Sequence, residues 1–281
     1  MTYMVNLGRF NKLKVVRQLP RGVQLDGGRV GEILLPKQYV TRPLEAGEEI
    51  NVFIYRDSED RFIATTQTPK AQVGEFAYLN VTDVSKIGAF VDWGLPKDLL
   101  VPFAEQHGKL TKGRQALVRV YVDDSNRLAA SAKIDSFLYD TDDNQHFKAG
   151  EQVDLMIAGA TDLGVKVIVN NAYWGLIYHS DVFEKLHRGD RRQGYIKRIR
   201  PDNKLEISLQ APGFNKALHL SEKILHKLEN GDGFLDLNDK SRPEDIKAAF
   251  KCSKSAFKQA IGHLYKERKI RIEKNGIYLN E

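Results

Sequence analysis

DVSKIGAFVDWGLPKDLLVPFAE, residues 83–105, holds two short apolar runs, Ala89 to Trp93 and Leu99 to Phe103, separated by a Gly-Leu-Pro-Lys-Asp turn. The glycine that opens the first run, Gly88, is the middle member of a triplet, Gly74, Gly88 and Gly113, spaced by 14 and 25 residues. The same two gaps recur in Gly8, Gly22 and Gly47 and in Gly150, Gly164 and Gly189, with triplet offsets of 66 and then 76 residues. A fixed period of this kind marks one small unit copied along the chain, so the fold is read per copy.

The middle copy reads as five strands: Phe76 to Val84, Ala89 to Trp93, Leu99 to Phe103, Gln115 to Val122 and Leu128 to Ser131. Each is rich in Val, Phe, Tyr or Leu and is bounded by turn residues. Ala116, Val118 and Val120 alternate with Leu117, Arg119 and Tyr121, as a strand with one core face requires. Ile50, Val52 and Ile54 occupy the same offsets in the first copy. Arg192, Gly194 and Ile196 hold them in the third, which predicts a later start or a different register for that strand. Gly22, Gly88 and Gly164 fall where a tight bend or a close backbone approach suits glycine, and Gly47, Gly113 and Gly189 read as turn residues before the fourth strand. Five strands in about 66 residues fit a five-stranded oligonucleotide-binding (OB) barrel.

Residues 83–105 resemble the signature of the RNA-binding repeat of ribosomal protein S-one. GYIKRIRPDNKLEISLQ (194–210) is similar to the closing strand pair of that domain, and WGLIYHSDVF (174–183) to its third strand. Three such copies followed by a winged helix resemble the conserved virulence factor B family of bacterial RNA-binding proteins. The resemblance implies base-stacking positions at Ile87 and Phe90, with Arg21 and Gln24 or Leu163 and Lys166 in the other copies, so no copy keeps the full aromatic set. A third-strand histidine of the family becomes Leu34, Pro102 and Tyr178.

From Asn215 the pattern turns helical: Ala217, Ile224, Leu225 and Leu228 share one face, and Asn230-Gly231 ends the helix. Ser241 is the expected N-cap of a second helix, Pro243 to Phe250, and Ser253 of a third, reaching about Arg268. Phe257, Ala260, Ile261 and Leu264 form the apolar stripe of that third helix. KIRIEKNGIYLN (269–280) reads as a hairpin around Lys274-Asn275-Gly276, with Asn-Gly favouring a type I′ turn. Three helices and a hairpin make a winged helix. The chain is thus mostly β with a C-terminal α+β module: three tandem five-stranded OB-fold barrels followed by a winged helix-turn-helix domain. The expected divisions are 1–70, 71–138, a linker 139–148 containing Asp140, Asp142 and Asp143, then 149–212 and 213–281.

The net charge of +6 is uneven: eleven Lys/Arg face five Asp/Glu from Lys240 onward, and residues 187–204 hold seven Lys/Arg against two Asp. Residues 74–147 lean the other way, with 8 basic and 11 acidic residues. Attraction to a polyanion is therefore expected in the C-terminal half. No apolar run approaches the roughly 18 residues of a membrane span, and no signal-peptide core is seen at the N-terminus. Cys252 is the single cysteine, which excludes an intrachain disulfide and points to a reducing cytoplasm. There is no P-loop, dinucleotide fingerprint or nucleophile–base set, so no cofactor and no catalysis are expected. His219 and His226, seven apart with no cysteine nearby, do not make a zinc site.

Single-strand binding needs aromatic faces for bases and cations for the backbone. Copy three supplies both within one run: Lys166, Tyr173, Trp174 and Tyr178, then Arg188, Arg191, Arg192, Lys197, Arg198 and Arg200. In copy two the candidates are Phe90 and Trp93, with Trp93 expected at the surface beside Gly94 and Phe103 in the core. On the winged helix, Lys254, Lys258, Arg271 and Lys274 can meet phosphates, although the same charges also suit a solvated face. The expected partner is single-stranded RNA, with affinity concentrated in copy three and the winged helix. The resemblance implies a role in post-transcriptional control, including virulence genes in some bacteria. Two readings stay open beside it: a winged-helix DNA-binding regulator, and a scaffold for ribosome-associated proteins or nucleases.

Overall fold

The computed structural model describes residues 4–182, 184–211 and 216–280. Phe183, Asn215 and the side chains of Ala217 and His219 lie outside the described residues. Barrel one is built from β1 (Phe10–Leu19), β2 (Gly22–Asp26), β3 (Glu32–Pro36), β4 (Glu49–Arg56) and β5 (Phe62–Thr65). Barrel two uses β6 (Phe76–Val84), β7 (Gly88–Asp92), β8 (Leu99–Pro102), β9 (Gln115–Val122) and β10 (Leu128–Ser131). Barrel three uses β11 (Gln152–Ala160), β12 (Gly164–Val169), β13 (Tyr173–Tyr178), β14 (Arg191–Ile199) and β15 (Leu205–Ser208). In each, the third strand pairs parallel with the fifth and the fourth returns to the first, closing the sheet. Closure removes exposed strand edges, which lets units this small enclose a core.

The three copies share one register. Val52 pairs with Asn11, Val118 with Ala77 and Gly194 with Val153, at identical offsets from the glycines. The fourth strand of copy three therefore neither starts late nor slips. Arg192 is exposed while Gly194 and Ile196 are buried, so the basic residues were placed on the outer side of an unchanged strand. The N–H groups of Gly8, Gly74 and Gly150 donate to the carbonyls of Ile54, Val120 and Ile196 at 2.7, 2.8 and 2.7 Å. Those of Gly47, Gly113 and Gly189 donate to Val15, Val81 and Ile157, each at 2.8 Å. At the middle glycines a Cβ on Gly22, Gly88 or Gly164 would lie 2.1, 2.2 or 2.0 Å from the carbonyl oxygen of Leu35, Val101 or Ile177. No side chain fits there, because the second and third strands meet backbone to backbone.

Both tryptophans of the chain are buried between barrels. Trp93 is 1% exposed, donates Nε1–H to the Lys97 carbonyl at 2.7 Å and packs on Phe53 of barrel one. The exposure expected of it from Gly94 is not realised. Trp174 is 7% exposed and packs with Met156, Ala158 and Ile168 against Phe76, Leu117 and Ile134 of the preceding unit. Phe103, expected in the core, is instead 51% exposed. Residues 139–148 dock on barrel three: Tyr139 N–H donates to the Ala172 carbonyl, and the Asp142 carboxylate, 1% exposed, accepts the N–H groups of His146 and Phe147.

The C-terminal module comprises α1 (Lys216–Glu229), β16 (Phe234–Leu235), α2 (Pro243–Phe250), α3 (Lys254–Lys266), β17 (Ile270–Glu273) and β18 (Gly276–Leu279). Phe257, Ala260, Ile261 and Leu264 meet Ile224 and Leu228 in its core. Ser253 caps α3 by accepting the Ala256 N–H at 3.2 Å. Arg242, not Ser241, is the N-cap of α2, since the Ser241 hydroxyl accepts the Asn238 N–H at 2.8 Å. The hairpin turn is not type I′: neither Lys274 nor Asn275 takes the positive φ that type requires. Gly276 is needed for another reason, as its Cβ would fall 2.2 Å from the Leu235 carbonyl of the neighbouring strand. No described helix is long and apolar enough to cross a membrane.

Candidate nucleic-acid interface

Each barrel carries a groove at the same place, over its second, third and fifth strands and the loop joining its fourth and fifth. Ladder pairing sets the floor. Gln24, Leu34 and Ile63 are neighbours in barrel one, Phe90, Leu100 and Ala129 in barrel two, and Lys166, Leu176 and Glu206 in barrel three. The rim loops are built alike, with Asp57, Asp123 and Arg200 donating N–H to the carbonyls of Arg61, Arg127 and Lys204 at 3.1, 2.9 and 2.9 Å. The cavities measure about 330, 360 and 220 Å³ from barrel one to barrel three.

Barrel three has the most cationic groove, lined by Lys166, Leu176, Tyr178, Arg200 and Lys204 beside Trp174 and two acids, Asp140 and Glu206. Arg200 donates Nη1–H to the Tyr178 hydroxyl at 3.2 Å and faces Asp202 at 3.1 Å. Lys166 Nζ sits 3.7 Å from the Trp174 ring centroid and 3.6 Å from an oxygen of the exposed Asp135. Glu206 is 2% exposed, with Lys197 Nζ at 2.7 Å and Arg198 on its other oxygen. Burial pushes its carboxyl up, but the hydrogen bonds and charges of Lys197 and Arg198 outweigh this and hold it below the ordinary 4.5. The groove thus contains a neutralised buried carboxylate under a basic rim.

The basic–aromatic run of copy three does not gather into one surface. Tyr178, Lys166 and Arg200 reach the groove. Lys197 and Arg198 are committed to Glu206, and Lys197 also to Asp181 at 2.8 Å. Arg192 pairs with Asp190 at 3.2 Å. Tyr173, one residue out of phase, turns to the docked segment, its hydroxyl 2.8 Å from His146 Nδ1. Trp174, Arg188 and Arg191 go to the seam with barrel two, where Arg188 lies 5.4 Å over the Tyr78 ring and Arg191 donates to the Phe76 carbonyl at 2.7 Å. Alternation along strands separates residues that the linear run groups together.

In barrel two, Phe90 is half-buried in its groove while Trp93 forms part of the wall. Ladder register also corrects the third-strand equivalence: Gly22, Gly88 and Gly164 pair with Pro36, Pro102 and Tyr178, so the first-copy counterpart is Pro36, not Leu34. On the winged helix, Lys258 and Lys274 are exposed, Lys254 donates to the Lys240 carbonyl at 3.3 Å and Arg271 pairs with Glu273 at 3.0 Å. Sequence reasoning missed Lys204 and Leu176. The signal for Lys204 was present, since Arg61, Arg127 and Lys204 each stand four residues after the loop's first residue. Among the described residues no group of three His, Cys, Asp or Glu is placed to hold a metal ion.

The S1 domain model matches residues 7–67 and 73–133, and the CvfB-like winged helix domain model matches 222–279. "Uncharacterized protein YitL" of Bacillus subtilis is 30% identical over 259 residues, which is 88% of this chain and 85% of that protein. Conserved virulence factor B of Staphylococcus epidermidis is 28% identical over 246 residues, covering 84% and 82% of the two chains. A multidomain protein with nucleic acid binding domains from Streptococcus pneumoniae, solved as a crystal structure, is 27% identical over 98% of both chains with a TM-score of 0.42. Fold and grooves together define a protein of tandem S1-type barrels and a winged helix, a nucleic-acid-binding class. The chain belongs to the conserved virulence factor B family.

Proposed function

We propose that this protein binds single-stranded RNA along the grooves of its barrels, without catalysing a reaction, and acts in post-transcriptional control of gene expression. The groove of barrel three carries the reading. Leu176 and Tyr178 offer an apolar and aromatic floor, Lys166, Arg200 and Lys204 a cationic rim, and Glu206 is already neutralised by Lys197 and Arg198. A base stacked on such an aromatic contributes roughly 1–3 kcal/mol, and each phosphate neutralised on a single strand adds about 0.7 to the log–log salt slope. The staphylococcal relatives are named virulence factors, in keeping with a regulatory role. The test is a competition at fixed salt between single-stranded RNA and duplex DNA. Preference for RNA that falls in Tyr178→Ala and Lys204→Gln supports this reading. A clear preference for duplex DNA favours the second reading, a DNA regulator acting through the exposed Lys258 and Lys274 of the winged helix.

A further inference from the structure

We propose that the junction of the three barrels is a phosphate-binding site formed by Arg9, Arg119, Arg188 and Arg191 around the segment Gly74–Tyr78. One arginine comes from barrel one, one from barrel two and two from barrel three, and all four reach the same few residues. The position a Cβ would take on Gly74 is 3.0 Å from Arg9 Nη2 and 3.8 Å from Arg119 Nη2, so the two guanidinium tips are near enough to grip one anion. Arg119 pairs across the ladder with Phe76, whose carbonyl accepts Arg191 Nη2–H at 2.7 Å. Two residues on, Tyr78 carries Arg188 over its ring at 5.4 Å.

These arginines differ from most of their neighbours in having no carboxylate. Arg17, Arg42, Arg61, Arg127, Arg192 and Arg198 all sit in ion pairs, whereas none of the four has an ion-pair partner among the described residues. Two acids lie close in sequence: Glu75, within the segment, turns its carboxylate to the Gln72 N–H at 2.9 Å, and Asp190, beside Arg191, pairs with Arg192 at 3.2 Å and faces His187. Arg119 has its guanidinium carbon 4.4 Å from the Phe137 ring centroid, and its buried Nε has no hydrogen-bond partner. Its pKa is lowered, chiefly by burial and secondarily by the charge of Arg9. A phosphate supplies what is missing: guanidinium forks bind its oxygens in pairs, and a dianion relieves the mutual repulsion. The site uses the outer face of β6 and β9, away from the grooves over the second, third and fifth strands, and so does not depend on the groove reading. Its phosphate can come from the backbone of a bound strand or from a free phosphate-bearing molecule.

Inorganic pyrophosphate titrated into the full-length protein by calorimetry, at constant ionic strength, tests the proposal. Arg9 and Arg188 are exposed, so the double variant Arg9→Gln/Arg188→Gln keeps the fold, as a thermal melt will verify. We expect pyrophosphate to bind and the double variant to weaken it about tenfold or more. Tyr178→Ala and Lys204→Gln, which strip the groove, should leave it unchanged. No binding, or equal affinity in the double variant, overturns the site. Displacement of a short single-stranded RNA by pyrophosphate assigns the phosphate to the strand backbone, and simultaneous binding assigns it to a free ligand.

Discussion

The ring of Phe53 in barrel one meets the ring of Trp93 in barrel two edge-on, with centroids 5.6 Å apart and planes at 71°. Phe10 meets Phe53 in the same way at 5.5 Å, so an aromatic chain crosses the seam. Polar contacts surround it: Asp60 of barrel one faces Lys97 at 3.8 Å and also pairs with Arg127, and Lys70 pairs with Asp92. Trp93→Ala should therefore cost roughly 3–5 kcal/mol of stability, as removal of a buried tryptophan does. In a double-mutant cycle with Phe53→Ala, the coupling should be about 0.5–1.5 kcal/mol. Urea denaturation of the four proteins measures it; zero coupling would show that the ring pair does not hold the barrels together.

The middle glycines carry the same steric duty in all three copies. Gly22→Ala, Gly88→Ala and Gly164→Ala each drive a methyl group into a carbonyl oxygen 2.0–2.2 Å away. Each should destabilise its barrel by roughly 3 kcal/mol, near the upper end for single substitutions. Gly262→Ala, with open space around its Cβ position on α3, should be neutral or slightly stabilising. Thermal melts of the four variants separate the two groups.

The groove of barrel three gives a binding prediction. Tyr178→Ala should weaken single-stranded RNA by roughly 1–3 kcal/mol, and Tyr178→Phe by less, because the ring face stacks and the hydroxyl only meets Arg200. Lys204→Gln should flatten the salt dependence by about 0.7 in log–log slope. Fluorescence anisotropy across a salt series reads both, and an unchanged slope would remove Lys204 from the interface.

Glu206 sets a pH dependence with a definite sign. Its carboxyl lies below the ordinary 4.5 in the folded protein, because Lys197 and Arg198 outweigh the effect of burial. A lowered native value means that the stabilisation is fully present above about pH 4.5 and is lost as pH falls through the native value. The stability difference between the parent protein and Glu206→Gln should be constant above that pH and shrink below it. Urea midpoints from pH 7 down to pH 3 check this; a difference that grows on acidification would reverse the assignment.

The fold was legible because the period of the glycines is a backbone property. Their N–H groups and close approaches recur at fixed offsets whatever the side chains do, so strand positions in the middle copy could be read nearly residue by residue. The site was less legible because function depends on which face a residue takes after the barrels dock. Trp93 and Trp174 look like stacking platforms in a line of sequence, yet both are consumed by seams between barrels. Lys197 and Arg198 look like phosphate contacts, but Glu206, hidden in the fifth strand, claims them. Gly276 answers to a neighbour distant in sequence, the Leu235 carbonyl, whereas Ser241 is taken by a local turn in which its hydroxyl accepts the Asn238 N–H three residues back.

Photocrosslinking of single-stranded RNA to the full-length protein, with the attachment points mapped by mass spectrometry, tests the groove assignment most directly. We expect crosslinks at Tyr178 and around Lys204 in barrel three, and at Phe90 in barrel two, with none at Trp93. Crosslinks confined to Lys258, Lys274 and their neighbours on the winged helix would contradict it.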